Sequence, residues 1–315
     1  MSQLNIALVT IGGLVLILGL VSGPIRRTYI SAPIVALLLG ILLSPAVLGL
    51  LDVASWGKQE TILEEAARLT IAIGLMGVAL RIPKGYAPQH WWSLAVVLGL
   101  VMPLMWLSSG LLVYWLLGLP FWVAMLIGAV VTPTDPVVST DIVTGELAHQ
   151  NIPARLRHLI STESGLIANA SEKAEEEEVQ EAINRFFTLP IFVLLGLVLP
   201  WQEWLQLGWK GLLLAIAVLL LRRLPAILVL SPVMTRLKSV PDVLFMGWFG
   251  PIGVAALYYI HLSLHHTGIK DVWVVGSLII VASIVAHGIS ATPLSQLYGS
   301  RIQHKNKQRP KAIVR

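Results

Sequence analysis

Nine stretches of this chain are apolar for long enough, or nearly long enough, to cross a lipid bilayer, and that pattern limits the fold more than any motif does. They run roughly 4–22, 29–51, 62–81, 91–117, 119–145, 186–200, 208–231, 241–262 and 272–297. About 20 helical residues cross the hydrocarbon of a bilayer. Lipid offers backbone groups no hydrogen-bond partner, so runs of this length predict helices. Charged residues make up 12% of the 315-residue chain, against about 25% in soluble domains. The expected architecture is an all-α polytopic membrane protein with a single transmembrane domain over 1–315. Its parts are a first half over 1–170, a charged linker at 171–185, a second half over 186–300 and a basic tail at 301–315.

The run 4–22 has no basic residue ahead of it, so it reads as a retained helix rather than a signal peptide. A tenth stretch, 154–170, starts Ala154-Arg155-Leu156-Arg157-His158 and has only about a dozen apolar-leaning residues, by the length a span needs. It reads as one truncated, non-spanning helix. The linker, with Glu175 to Glu178 in series, reads as a solvated helix outside the hydrocarbon. The tail from Arg301 reads as a disordered basic segment that touches anionic lipid.

Basic residues in loops set orientation. With nine spans and the N-terminus outside, 18 of the 22 Lys and Arg fall on the inner side. The C-terminus is then cytoplasmic, and the formal charge of +5 records topology rather than affinity for nucleic acid. The absence of cysteine excludes disulfides and thiolate metal sites.

Asp135 lies in an apolar segment between two prolines, in Thr132-Pro133-Thr134-Asp135-Pro136. Each proline removes a backbone N–H and opens the helix. An ionisable side chain at that depth marks an ion or proton path by default. The segment 241–262 is interrupted in turn, at Gly250-Pro251-Ile252-Gly253. Two interrupted helices of opposite direction are what an inverted repeat produces. Asp135 is therefore the first candidate cation and proton ligand, with the Thr134 hydroxyl and the freed carbonyls near Ala129 and Thr132 beside it. The plain alternative is a kinked, capped helix with its acid paired to an arginine.

Glu163 and Ser164 form a second oxygen cluster. Arg222 and Arg223 sit in an otherwise apolar run. One of them can pair with Glu163 inside the bundle, or both can snorkel to headgroups. His261 and His265 share a helical face, a spacing that suits zinc. No cysteine or neighbouring carboxylate completes such a set, so a polar helix end is expected, with no cofactor or resident metal. His287 reads as a packed or water-linked imidazole. No nucleophile–base pair stands out at mid-bilayer, so an intramembrane enzyme is not expected.

Several runs carry a family resemblance: Thr132-Pro133-Thr134-Asp135-Pro136, Ile152-Pro153-Ala154-Arg155-Leu156-Arg157, Glu163-Ser164-Gly165, Gly247-Trp248-Phe249-Gly250-Pro251 and Ala286-His287-Gly288. Together they resemble bacterial sodium/proton antiporters of the cation:proton antiporter-1 type. That resemblance implies an inverted-repeat antiporter fold of thirteen helices, a homodimer in the bacterial inner membrane, and exchange of Na⁺ or K⁺ for H⁺. It also implies an ion site containing Thr134, Asp135, Glu163 and Ser164, with Arg222 or Arg223 as the supporting ion-pair partner. The family continues Glu-Ser-Gly with one residue and then Asn-Asp, its principal ligand pair. Here Ile167 and Ala168 stand in those places. An internal block of three to four helices is expected to be missing, leaving about nine spans plus one truncated helix. Impaired exchange is expected, and the other reading is a non-transporting remnant or a dimerisation partner of a complete antiporter.

Overall fold

The structure, a computed structural model, describes residues 13, 31–81, 89–135, 138–143, 145–164, 188–234, 237 and 239–307. The predicted first span, the linker at 171–185, and Ile167 and Ala168 lie outside the described residues.

Every described regular element is helical. The first half holds α1 (Ala32–Leu43), α2 (Gln59–Arg81), α3 (Trp91–Leu117), α4 (Phe121–Val130), α5 (Thr140–Val143), α6 (Gly145–Asn151) and α7 (Ala154–Ser164). The second half holds α8 (Thr188–Leu197), α9 (Trp201–Leu221), α10 (Leu224–Leu230), α11 (Val240–Trp248), α12 (Val254–Thr267) and α13 (Lys270–Lys307). Each apolar segment from 29–51 onward coincides with one or two of these helices. The truncated segment is α7, and its described part ends at Ser164.

Three helical stretches among the described residues are long and apolar enough to cross a bilayer alone: Trp91–Leu117, Trp201–Val233 and Lys270–Arg301. Many of their apolar side chains are exposed, among them Trp115, Trp209, Leu212 and Ile289. Exposed apolar belts on helices of this length mark an integral membrane protein.

The sequence pattern explains the stops. Gly118 and Gly268 end α3 and α12 with φ of 68°, the left-handed cap that glycine adopts without strain. Pro133 and Pro251 sit in the non-helical stretches after α4 and α11. Two expectations are corrected. The segment 208–231 is not one helix: it starts at a kink at Gly208 (φ 54°) that sets it off from the turns beginning at Trp201, and it is interrupted at Arg222-Arg223 before α10. The tail is not disordered from Arg301, because α13 stays helical to Lys307.

Packing is close where small residues allow it. A Cβ on Gly128 would lie 2.6 Å from the Gly110 backbone nitrogen, so α3 and α4 cross backbone to backbone. The 38-residue α13 packs against α1, α4, α6, α9, α11 and α12.

Buried apolar side chains form two clusters, not one. Five continuous stretches of the described residues pass from one cluster to the other, each at polar side chains or at a helix break; in α3, Met105 and Val113 flank Ser108-Ser109. Val138 and Ile142 flank Ser139, just after Asp135. Val218 and Ala226 flank Arg222-Arg223. Phe249 and Ile252 flank Gly250-Pro251, and Ile284 and Ala291 flank His287. A polar layer thus lies between two apolar slabs, and it contains the candidate site.

Candidate functional site

Two interrupted helices cross in this layer, and their free backbone ends decide where its charges sit. A helix N-terminus presents unpaired N–H groups and a C-terminus unpaired C=O groups. Asp135 is fully buried and serves the first kind. Its Oδ1 accepts from Val138 N at 3.0 Å and its Oδ2 from Ala255 N at 3.0 Å. Its own N–H donates to Pro251 O at 2.9 Å. One carboxylate therefore caps the start of α12 and bonds the turn leading into α5. The dipole at a helix N-terminus favours the negative charge there. Gly253 has to lack a side chain, since a Cβ would stand 2.8 Å from Asp135 Oδ2.

Arg222 serves the second kind. Its Nη1 donates to Val131 O at 2.6 Å and to Thr132 O at 3.1 Å, and its Nη2 donates to Gly250 O. The guanidinium thus collects carbonyls from just beyond the ends of α4 and α11. Its planar fork of donors suits such a task. The Thr132 carbonyl, expected from sequence to be open to a cation, is held by this arginine. Arg222 and Arg223 do not snorkel to the surface, since both are almost wholly buried.

Arg223 holds the other acid. Both of its terminal nitrogens donate to Glu163, Nη1 to Oε1 and Nη2 to Oε2, the latter at 2.7 Å. Its Nε donates to Met246 O at 2.9 Å. A two-pronged, charge-assisted contact of this kind is among the stronger hydrogen-bonded pairs. Of the two arginines that sequence left open as the partner, the structure pairs Arg223 with Glu163. Thr134 is buried beside Asp135 in the first break. Ser164 closes α7 next to Glu163.

Sequence reading missed a second buried cluster. Arg155 donates to Asp242 Oδ2 at 2.7 Å, and Tyr298 Oη donates to Asp242 Oδ1 at 2.5 Å. This ties the start of α7 to α11 and α13, while Glu163 ties its end to Arg223. An acid three residues after Ser239, ahead of an apolar run, was the available signal, because that is an N-cap pattern. Ser239 does accept from Asp242 N, at 3.4 Å.

The histidines also differ from expectation. His261 is buried inside α12 and stacks near Trp273 at 5.0 Å. His265 stands 3.8 Å from Glu64, a carboxylate from α2 that sequence spacing could not place. Among the described residues no three such groups gather into a metal site.

Interrupted helices crossing in a charged layer, with apolar packing on both sides, define the class of fold used by secondary transporters. Comparison with known proteins narrows the class. Residues 12–167 match the family model "Sodium/hydrogen exchanger, transmembrane". A Saccharomyces cerevisiae Na(+)/H(+) antiporter is 24% identical over 92% of this chain and 43% of its own length. The Zygosaccharomyces rouxii Na(+)/H(+) antiporter 2 is 25% identical over 84% of this chain and 49% of its own. The chain spans about half the length of these curated relatives. In fold it is similar to the sodium proton antiporter MjNhaP1 of Methanocaldococcus jannaschii. One structure of that protein gives a TM-score of 0.69 at 14% identity, covering 98% of this chain and all of the other. The chain is thus similar to sodium/hydrogen exchangers in sequence over residues 12–167 and to an antiporter in fold. The relatives named are fungal and archaeal, so they give the bacterial origin suggested by the motifs no support.

Proposed function

We propose that this chain is a monovalent cation:proton antiporter scaffold, built to exchange Na⁺ or K⁺ for H⁺ at the polar layer, whose own exchange is impaired. The observation that carries the reading is the burial of two carboxylates, Asp135 and Glu163, at the crossing of two interrupted helices. Protons and alkali cations compete for carboxylate oxygens, since a nearby cation favours the charged form and desolvation the protonated one. Competition becomes exchange when the layer opens alternately to either side. Thr134 and Ser164, the chain neighbours of these acids, are the hydroxyl-bearing candidates beside them. Arg222 and Arg223 are the supporting cations, the first on backbone carbonyls and the second on Glu163.

The impairment is read from the sequence. Ile167 and Ala168 replace the Asn-Asp pair expected after Glu163-Ser164-Gly165. The family match ends at residue 167. The alignment with the S. cerevisiae antiporter runs over 425 positions, more than the 315 residues of the chain itself. Both facts support the loss of an internal block after Gly165. We place the C-terminus in the cytoplasm on the charge asymmetry of the loops, and expect a homodimer in the membrane by resemblance.

The test is restoration. A complete block carrying Asp at the Ala168 place is grafted between Gly165 and the linker, and proton-coupled Na⁺ flux is followed in vesicles. Exchange should appear in the grafted chain and vanish when that Asp is changed to Ala. A graft that folds and stays silent would favour the second reading, a remnant that pairs with a complete antiporter.

A further inference from the structure

The second interrupted segment has a third anchor, besides Asp135 and Arg222, that neither its motif nor the exchange reading requires. α13 turns one polar face toward α11 and the break. Tyr298 donates to Asp242 at 2.5 Å, Ser290 accepts from Trp248 Nε1 at 2.9 Å, and His287 Nε2 lies 3.0 Å from Trp248 O. Ser283 Oγ accepts from Ile252 N at 2.7 Å and lies 3.1 Å from His287 Nδ1, which is itself 2.9 Å from the Ser283 carbonyl. His287 and Ser283 are both buried.

The Trp248 carbonyl can only accept, so Nε2 carries a hydrogen. Nδ1 faces the Ser283 carbonyl as well as the Ser283 hydroxyl, and these contacts leave its protonation open. Two bonds from neighbouring residues of α13 therefore hold the break: Ile252 N–H to Ser283 Oγ, and His287 Nε2–H to Trp248 O. They fall on the two flanks of Phe249-Gly250-Pro251. We infer that His287, donating from Nε2 beside Ser283, is a positioning residue. It sets the shape of the break whose carbonyls reach Arg222 and Asp135. An unwound backbone in lipid persists only where each polar group has a partner, and these two bonds supply two of them.

Two measurements test this in the intact chain, and neither needs ion movement, so a silent transporter and a wrong assignment are told apart. Histidine-selective ¹⁵N spectra in lipid nanodiscs, with His287→Gln identifying the signal, should report a ring that carries a proton at Nε2. A ring bare at Nε2 overturns the assignment. Hydrogen exchange over residues 249–255 should quicken about tenfold in Ser283→Ala, the loss of one buried bond, and return to within about twofold of the parent in Ser283→Thr. His287→Gln, which can still donate to Trp248 O, should stay near the parent, whereas His287→Leu should not. Equal exchange in Ser283→Ala and the parent overturns the positioning role, as does equal exchange in His287→Leu and His287→Gln.

Discussion

The two buried acids sit in one layer yet are held in opposite ways. Asp135 is held by the backbone, through N–H groups from the start of α12 and the turn before α5. Glu163 is held by a side chain, the Arg223 fork. Backbone amides at helix ends cannot swing away without unfolding the crossing, whereas an arginine can exchange partners by rotating about its own bonds. Asp135 is thus held by the frame itself, and Glu163 by a contact that side-chain rotation can break. That contrast also answers the bland reading of Asp135 as a cap. It is a cap, but of two elements at once.

The largest effect should come from separating Glu163 and Arg223. Arg223→Ala leaves a buried carboxylate unpaired and should cost about 3–5 kcal/mol of stability, read as thermal unfolding in detergent. Replacing both partners, Glu163→Leu with Arg223→Met, should recover most of that loss. If the double variant is no better than the single one, Glu163 has another obligatory partner and the contrast fails.

Asp135→Asn should cost less, about 1–3 kcal/mol. One amide oxygen still accepts, but the amide nitrogen now faces an N–H that it cannot satisfy. Arg222→Lys should follow, at about 1–2 kcal/mol, because one ammonium cannot span carbonyls drawn from both breaks. The smallest effect is the control. Arg68 and Glu65 are 2.5 Å apart on the exposed face of α2, and Glu65→Gln should change stability by no more than about 0.5 kcal/mol. A surface loss as large as the buried one would show that burial does not set the scale.

Much of this was legible beforehand. Apolar length located the helices from 29–51 onward, and proline position located both breaks. The acid between prolines led to Asp135. What could not be read was which group satisfies which. Periodicity says nothing of three-dimensional neighbours, so the choice of Arg223 for Glu163, and of carbonyls for Arg222, waited for the structure. The interruption at Arg222-Arg223 was hidden because adjacent arginines look the same at a membrane edge as in a core. Asp242 passed unnoticed because its partners, Arg155 and Tyr298, are 87 and 56 positions away. Ser283 passed for an ordinary helix residue, and only its contact with Ile252 N gives it a task.

The most direct test of the whole account is uptake of radioactive Na⁺ into vesicles carrying this chain alone, driven by an imposed pH gradient. The account predicts uptake no greater than in protein-free vesicles, because Ala168 stands in the sequence where the resemblance places the principal ligand. Saturable uptake that collapses with the gradient and disappears in Glu163→Gln would contradict it.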